Sequence, residues 1–427
     1  MLTAFLAALA ALSASAQAQW TVVNLHPAGA TRSYAVGVSG GQQVGRVDFG
    51  TTTTYPSAWN GSAASWVNLL PAGAAPSPYL GAFGVGGGQQ VGICVVGGLQ
   101  RASLWSGTAA SWVDLSPSGT TESQGYGAGD GYQVGTTIVG IVRHASLWSG
   151  TAASWVDLSP EGTGGSDAYG VGGGQQVGFV QVSSGETHAA LWTGTAASWV
   201  DLNPEGWTSS TAWNVDGGQQ VGRVGSGVSH ASLWNGTAAS WVDLSPAGSS
   251  NSIASGVSGG WQVGVARVGG IERASLWRGT AASWVDLGAF LPQGFTSSVA
   301  IGIWTDAIFI YISGAGYNSV TGHEEALLWV HAAPGACCQG GTCSLVSQNT
   351  GCASGQFQGP GTSCGVAGNP TMCCRANFDG VNGLQVADIF AFLGAWFADD
   401  SRADFTGDGH LSVSDIFYFL NEWFAGC

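Results

Sequence analysis

The sequence predicts a mainly β fold: a seven-bladed β-propeller of four-stranded blades, followed by a small disulfide-rich segment and a small α-helical EF-hand pair. Three observations carry this expectation. A thirteen-residue string at positions 103–115 recurs at 146–158, with variants at 190–202, 232–244 and 275–287 and a looser copy at 57–69. Its second tryptophan falls at Trp66, Trp112, Trp155, Trp199, Trp241 and Trp284, at steps of 46, 43, 44, 42 and 43 residues, the period of a propeller blade. Glycine supplies 71 of 427 residues, and helix-forming stretches are rare before position 375.

In chain order, residues 1–18 read as a secretory signal. An apolar stretch too short to span a bilayer ends in the small-x-small sites Ala14-Ser15-Ala16 and Ala16-Gln17-Ala18, although the segment holds no Lys or Arg. No other apolar stretch is long enough for a transmembrane helix. The net charge is −15 and all ten cations are Arg, which makes nucleic acid and anionic membranes poor partners and removes Lys-dependent chemistry.

Residues 19–332 form the repeat domain. In the fourth unit, Ala168-Tyr169-Gly170-Val171, then 175–180, 188–192 and 199–202 read as four strands joined by Gly- and Ser-rich turns. The first strand of each unit carries small residues, as at Ala35-Val36-Gly37-Val38 and Ala82-Phe83-Gly84-Val85, which suits the crowded axis of a propeller. Third-strand tryptophans number seven, at Trp59, Trp105, Trp148, Trp192, Trp234, Trp277 and Trp329. Only six fourth strands follow them, so residues 20–25 at the N terminus are expected to supply the seventh and close the ring by pairing with 326–329.

Residues 20–330 resemble the HAF-type extracellular repeat proteins. The resemblance rests on His144-Ala145-Ser146, His188-Ala189-Ala190 and His230-Ala231-Ser232 before Leu-Trp, and on the preceding Gln-Val-Gly strands. It implies an extracellular repeat protein and no particular ligand. At the His position other units carry Arg101, Arg273, Tyr55 or Glu325. A cationic rim is one reading of it. Pairing with the recurrent Asp114, Asp157, Asp201, Asp243 and Asp286 is the stronger one, because polar groups in a folded sheet need partners.

Gly84–Gly88 and the matching 170–174 segment look like phosphate-cradling loops but precede strands, so they are read as turns. The Asn60-Gly61-Ser62 and Asn235-Gly236-Thr237 sequons sit where other blades use Ser-Gly or Thr-Gly, which again favours turn chemistry. Trp207, Trp213, Trp261 and Trp304 break the repeat and are the candidate ligand-stacking residues. No nucleophile–base–acid set stands out, including around His323, Glu324 and Glu325.

Residues 333–374 carry Cys337, Cys338, Cys343, Cys352, Cys364, Cys373 and Cys374 without the paired knuckles of a zinc ribbon. In a secreted chain this predicts disulfides of open connectivity, leaving Cys94 and Cys427 of uncertain pairing.

Residues 375–427 hold two EF-type calcium loops. In the second, Asp404, Thr406, Asp408, Ser412 and Asp415 place oxygens at positions 1, 3, 5, 9 and 12; Gly409 makes the turn and His410 offers its carbonyl. The first has Asn377, Asp379, Gln385 and Asp388 but Val381 at position 5, which predicts weaker binding. Helices follow each loop, and Ile389, Phe390, Phe392, Leu393, Trp396 and Phe397 repeat as Ile416, Phe417, Phe419, Leu420, Trp423 and Phe424, a stripe expected to bury one shared core. The two loop–helix units and the Gly426-Cys427 ending resemble GC-type dockerin modules. That resemblance implies surface attachment or sorting. Val386-Ala387 and Val413-Ser414 replace the hydroxyl pairs of cellulosomal dockerins, against a standard cohesin partner.

The expected function is that of a secreted or surface-attached, non-enzymatic repeat protein. Its propeller displays a binding face, and calcium-dependent attachment is to a protein or polysaccharide of the cell envelope. The rivals are a carbohydrate-binding propeller using the irregular tryptophans and a propeller hydrolase or lyase.

Overall fold

Each repeat folds as one antiparallel sheet, and seven such sheets make up the propeller in the computed structural model. It describes residues 20–50, 53–183, 186–306, 308–332, 335–339, 342–346, 356–357, 376, 378–379, 385–406 and 410–425. The chain divides into two compact units, one comprising residues 21–306 and 310–330, the other 1–20, 307–309 and 331–427.

Blade 4 shows how the repeat folds. Strands Ser166–Gly172, Gln175–Ser183 and Glu186–Trp192 form a meander, and the fourth strand is only Val200–Asp201. That strand is shorter than expected because the chain before it winds into a single 3-10 turn, Ala196–Ser198. The Thr193 N–H donates to Ser198 Oγ at 2.8 Å, and that hydroxyl donates to the Thr195 carbonyl at 2.6 Å. The same serine-locked turn recurs in blades 1 to 6, which explains the repeated Ala-Ala-Ser.

The ring closes as the repeat count requires. Thr21–Asn24 lies antiparallel to His323–Ala332, with Thr21 opposite Val330 and Asn24 opposite Leu327. In blades 3 to 6 a third-strand His or Arg meets a fourth-strand Asp: His144–Asp157 at 2.8 Å, His188–Asp201 at 2.7 Å, His230–Asp243 at 2.9 Å and Arg273–Asp286 at 2.7 Å. The closing blade reverses this polarity, and Asn24 Nδ2 donates to the buried Glu325 carboxylate at 2.7 Å. The His–Asp pairs are part-exposed, so each is worth about 1 kcal/mol or less.

Blades are tied to one another through a serine at the start of each inner strand. Ser123, Ser166, Ser210 and Ser252 each accept the N–H of an alanine in the preceding blade (Ala102, Ala145, Ala189 and Ala231) at 2.9 Å. Ser33 does the same for Ala326 at 2.8 Å across the closure. Between blades 1 and 2 the donor position is Pro56, which has no N–H, and the acceptor position is the buried Leu80. The polar pair has been replaced on both sides, which leaves no orphan.

The seven third-strand tryptophans are almost completely buried between blades. Just before the fourth strands, Trp66, Trp112, Trp155, Trp241 and Trp284 each donate from Nε1 to a third-strand serine at 2.9 Å. In blade 4 that serine is Ala190, and the Trp199 indole N–H is buried without a partner.

In the second unit, strands Gly335–Gln339 and Thr342–Val346 pair, and Gln356–Phe357 joins them. The side chains of Cys337, Cys338 and Cys343, and all of Cys352, Cys364, Cys373, Cys374 and Cys427, lie outside the described residues, as do residues 1–18. Cys94 is a free thiol, buried in the propeller, where burial pushes its pKa up to about 12. Two helices, Val386–Phe397 and Val413–Ala425, follow. Phe392 and Phe419 stack face to face at 4.1 Å between ring centres, with Phe378 and Phe405 edge-on around them. The expected stripe is corrected in part: Phe390, Phe397, Phe417 and Phe424 are exposed. The core takes the 389, 392, 393, 396 ridge, and residues 390 and 397 fall about 100° further round the helix. None of the described helices is long and apolar enough to cross a membrane.

Replacing Ala190 by Ser should give Trp199 the partner it lacks and raise unfolding stability by about 0.5–1.5 kcal/mol. Ser146→Ala should lose a similar amount. Denaturant midpoints of the two variants check this; equal shifts in the same direction would contradict it.

Candidate functional site

The inner strands of all seven blades surround a cavity of about 590 Å³ on the propeller axis. Its lining follows from one local irregularity. Every inner strand contains a β-bulge at the same place, between Ala35 and Gly37, Ala82 and Gly84, Gly125 and Gly127, Ala168 and Gly170, Ala212 and Asn214, Ala254 and Gly256, and Ala300 and Gly302. The skipped residue has no partner across the ladder, which frees its side chain to be re-aimed. These residues are Val36, Phe83, Tyr126, Tyr169, Trp213, Ser255 and Ile301, and all seven line the cavity.

The residue after the bulge is glycine in six blades because the next blade leaves no room. A Cβ on Gly84 would lie 2.7 Å from the Gly127 Cα, and one on Gly127 2.5 Å from the Tyr169 carbonyl. Variation around the axis therefore concentrates at the bulged position, and the position after it departs from glycine once, at Asn214.

That freedom is used asymmetrically. Phe83, Tyr126, Tyr169 and Trp213 form a continuous arc over blades 2 to 5, with successive ring centres 6.3, 5.2 and 4.7 Å apart. Val36, Ser255 and Ile301 make the other wall. The tyrosine hydroxyls are committed to the protein. Tyr169 donates to Asp167 at 3.1 Å, and Tyr126 donates to Gln124 Oε1. Arg143 holds the buried Asp167 through Nε at 2.9 Å and Nη2 at 2.8 Å, and its Nη2 also donates to the Tyr126 hydroxyl at 3.3 Å. Burial, with the Asp167 charge next, pushes the Tyr126 pKa up to about 12 and that of Tyr169 well above the usual phenol. Both rings therefore stay neutral where they line the cavity, and no charged side chain is among its described lining residues.

Of the four irregular tryptophans, only Trp213 lines this cavity. Trp207 packs edge-on against Trp241 and His230 between blades. Trp261 lies under the Arg278 guanidinium at 4.6 Å. Trp304 packs near Tyr311 and lines a separate cavity with Asn60 and Trp59. The four candidates thus lie at different places on the blades, Trp213 on the axis and Trp207, Trp261 and Trp304 elsewhere. Phe83, Tyr126 and Tyr169 went unnoticed in the sequence. The signal was present: superposing the repeats shows an aromatic at one variable position in four consecutive units.

In the helical unit, the buried Asp415 carboxylate accepts from the N–H and hydroxyl of Thr406 at 2.8 and 2.9 Å and from the N–H and hydroxyl of Ser412 at 2.7 and 3.2 Å. Burial alone would raise its pKa; these donors outweigh burial and hold it down to about 2. Asp388 repeats the arrangement, accepting from the N–H groups of Asp379 and Gln385 at 3.1 and 2.7 Å. Asp404 and His410 are described, whereas Asn377 and Asp408 lie outside the described residues. Among the described residues no three His, Cys, Asp or Glu side chains gather as a metal site.

No protein-family model and no curated protein matches the sequence. Among solved structures, a puromycin hydrolase mutant complexed with PGG is 13% identical with a TM-score of 0.46, covering 69% of this chain and 53% of its own. A Mycobacterium tuberculosis puromycin-hydrolyzing peptidase is 13% identical with a TM-score of 0.47, covering 72% and 55%. The β-propeller domain of the Trilobed protease from Pyrococcus furiosus is 8% identical with a TM-score of 0.48, covering 70% and 94%. The chain spans about half the length of the first two. Against the expectation of a non-enzymatic display protein, these neighbours are described as hydrolases and peptidases. Likenesses this distant transfer no reaction to the chain.

Proposed function

We propose that the propeller is a carbohydrate-binding module whose site is the axial cavity. The observation that supports it is the four-ring arc from Phe83 to Trp213. Part-exposed aromatic faces in an uncharged cavity suit a neutral ligand with an apolar flat side, and a pyranose ring has one. The volume of about 590 Å³ falls within the range of small-molecule sites and leaves room for a disaccharide. Trp213 is the natural anchor, since it combines the largest ring of the arc with stacking on Tyr169 at 4.7 Å.

Calcium binding by the helical unit belongs to the same reading. Asp404, Thr406, Ser412 and Asp415 bring hard oxygens at EF spacing, as calcium requires, and Asp379 and Asp388 do so more sparsely. Asp408 and Asn377 would complete the two sets. Each helix is tied to the other unit's loop: Trp396 Nε1 donates to the Ser412 carbonyl at 3.1 Å and Trp423 Nε1 to the Gln385 carbonyl at 3.2 Å. Loss of order in either loop thus reaches both helices.

Two outcomes are expected. Calorimetry against cellobiose, maltose and lactose should give measurable binding to at least one, and Trp213→Ala should weaken it about tenfold or more, the loss of roughly 1.4 kcal/mol of stacking. Trp261→Ala should leave it unchanged. The reverse pattern would move the site off the axis. Separately, chelating calcium from the full chain should abolish helical circular dichroism while the propeller's thermal transition persists. Helical signal that survives chelation would contradict the calcium assignment.

A further inference from the structure

Asn214 is the one break in the ring of glycines that follows the bulge. At its counterparts a Cβ collides with the next blade: 2.9 Å from the Ile301 carbonyl for Gly256 and 2.9 Å from the Val36 carbonyl for Gly302. Blade 5 departs from that rule where its neighbour also departs. The bulged residue of blade 6 is Ser255, the smallest of the seven and the only aliphatic hydroxyl among them. The small serine and the extra amide thus occur together, on consecutive blades, at the end of the aromatic arc. Both line the axial cavity, and among the described residues neither side chain finds a hydrogen-bond partner in the protein.

We propose that Asn214 and Ser255 are the specificity-determining residues of the axial site. They select a neutral pyranose carrying a free pair of adjacent hydroxyls, held with its flat face on Trp213. The proposal rests on the carbohydrate reading above and deepens it. The arc contributes ring faces, because its two phenol hydroxyls are already engaged by Asp167 and Gln124. Hydrogen bonding to a ligand therefore comes from the far end of the arc. A carboxamide is a donor and an acceptor side by side, so it can accept from one hydroxyl and donate to its neighbour, and the serine hydroxyl adds a third bond of either sense. Apolar groups in the same place would leave that amide unsatisfied once water is displaced, which is how a site rejects the analogue that lacks a hydroxyl.

Asn214→Gly tests this with little structural disturbance, because glycine is what six blades already carry there. Full-length protein is titrated with cellobiose, maltose and lactose, and the tightest of them is compared with its O-methylated counterpart. The wild type should prefer the free sugar at least tenfold. Asn214→Gly should keep the wild-type unfolding midpoint, lose about tenfold in affinity and lose most of that preference. Ser255→Ala should lose less in the same direction and serves as the second variant should the first fold poorly. If Trp213→Ala loses binding while Asn214→Gly and Ser255→Ala bind and discriminate like wild type, the inference fails and the carbohydrate reading stands. If the wild type binds none of the three sugars, the reading fails and the inference with it.

Discussion

The inner strands run so close to the axis that a single methyl group is too large at most positions facing the next blade. A Cβ at Gly127 would sit 2.5 Å from the carbonyl of Tyr169 in the next blade, and within a blade one at Gly135, opposite the bulge on the second strand, would sit 1.9 Å from the carbonyl of Gln124. The remainder of the axial architecture follows from that crowding. Glycine is imposed opposite the bulge in every blade and just after it in six, the bulge frees one residue per blade, and those seven residues all line the cavity. Variation concentrated at one position in an otherwise fixed repeat is how a scaffold of near-identical units comes to carry a one-sided site.

Away from the axis the blades are joined by hydrogen bonds that repeat with the sequence, and the exceptions show what the repeat is for. Pro56 removes a donor and Leu80 removes its acceptor. Asn24 and Glu325 exchange the polarity of the usual His–Asp pair at the closure, where the N-terminal strand meets the last blade. Ala190 has no such compensation, and Trp199 keeps an unpaired buried N–H. The first two cases conserve polar satisfaction rather than residue identity, as expected where a missing partner costs more than a missing pair. The third leaves an unmet need inside the fold.

The fold was largely legible in the sequence, because the signals that define it are periodic. Blade number, strand number per blade and the clasp at residues 20–25 all follow from counting tryptophans. The cavity was much less legible. Large aromatics in an inner strand that otherwise carries Ala, Gly and Val look like tolerated exceptions until the bulge is known, and a bulge is a property of backbone pairing that strand propensity does not register. The irregular tryptophans drew attention by their scarcity. Yet rarity in a repeat marks only a local difference, and Trp207 and Trp261 spend theirs on Trp241 and Arg278. In the helical unit the spacing of carboxylates was readable, while the exposed Phe390, Phe397, Phe417 and Phe424 show that an apolar stripe wider than the available contact is only partly buried.

The axial assignment stands on the asymmetry of the cavity, four rings on one side and small residues on the other. A crystal structure of the protein grown with the tightest-binding neutral disaccharide tests it most directly. The account predicts sugar density inside the axial cavity, one pyranose face against Trp213 and its hydroxyl edge toward Asn214 and Ser255. Sugar bound on an outer face beside Trp261 or Trp304, with none on the axis, would contradict it.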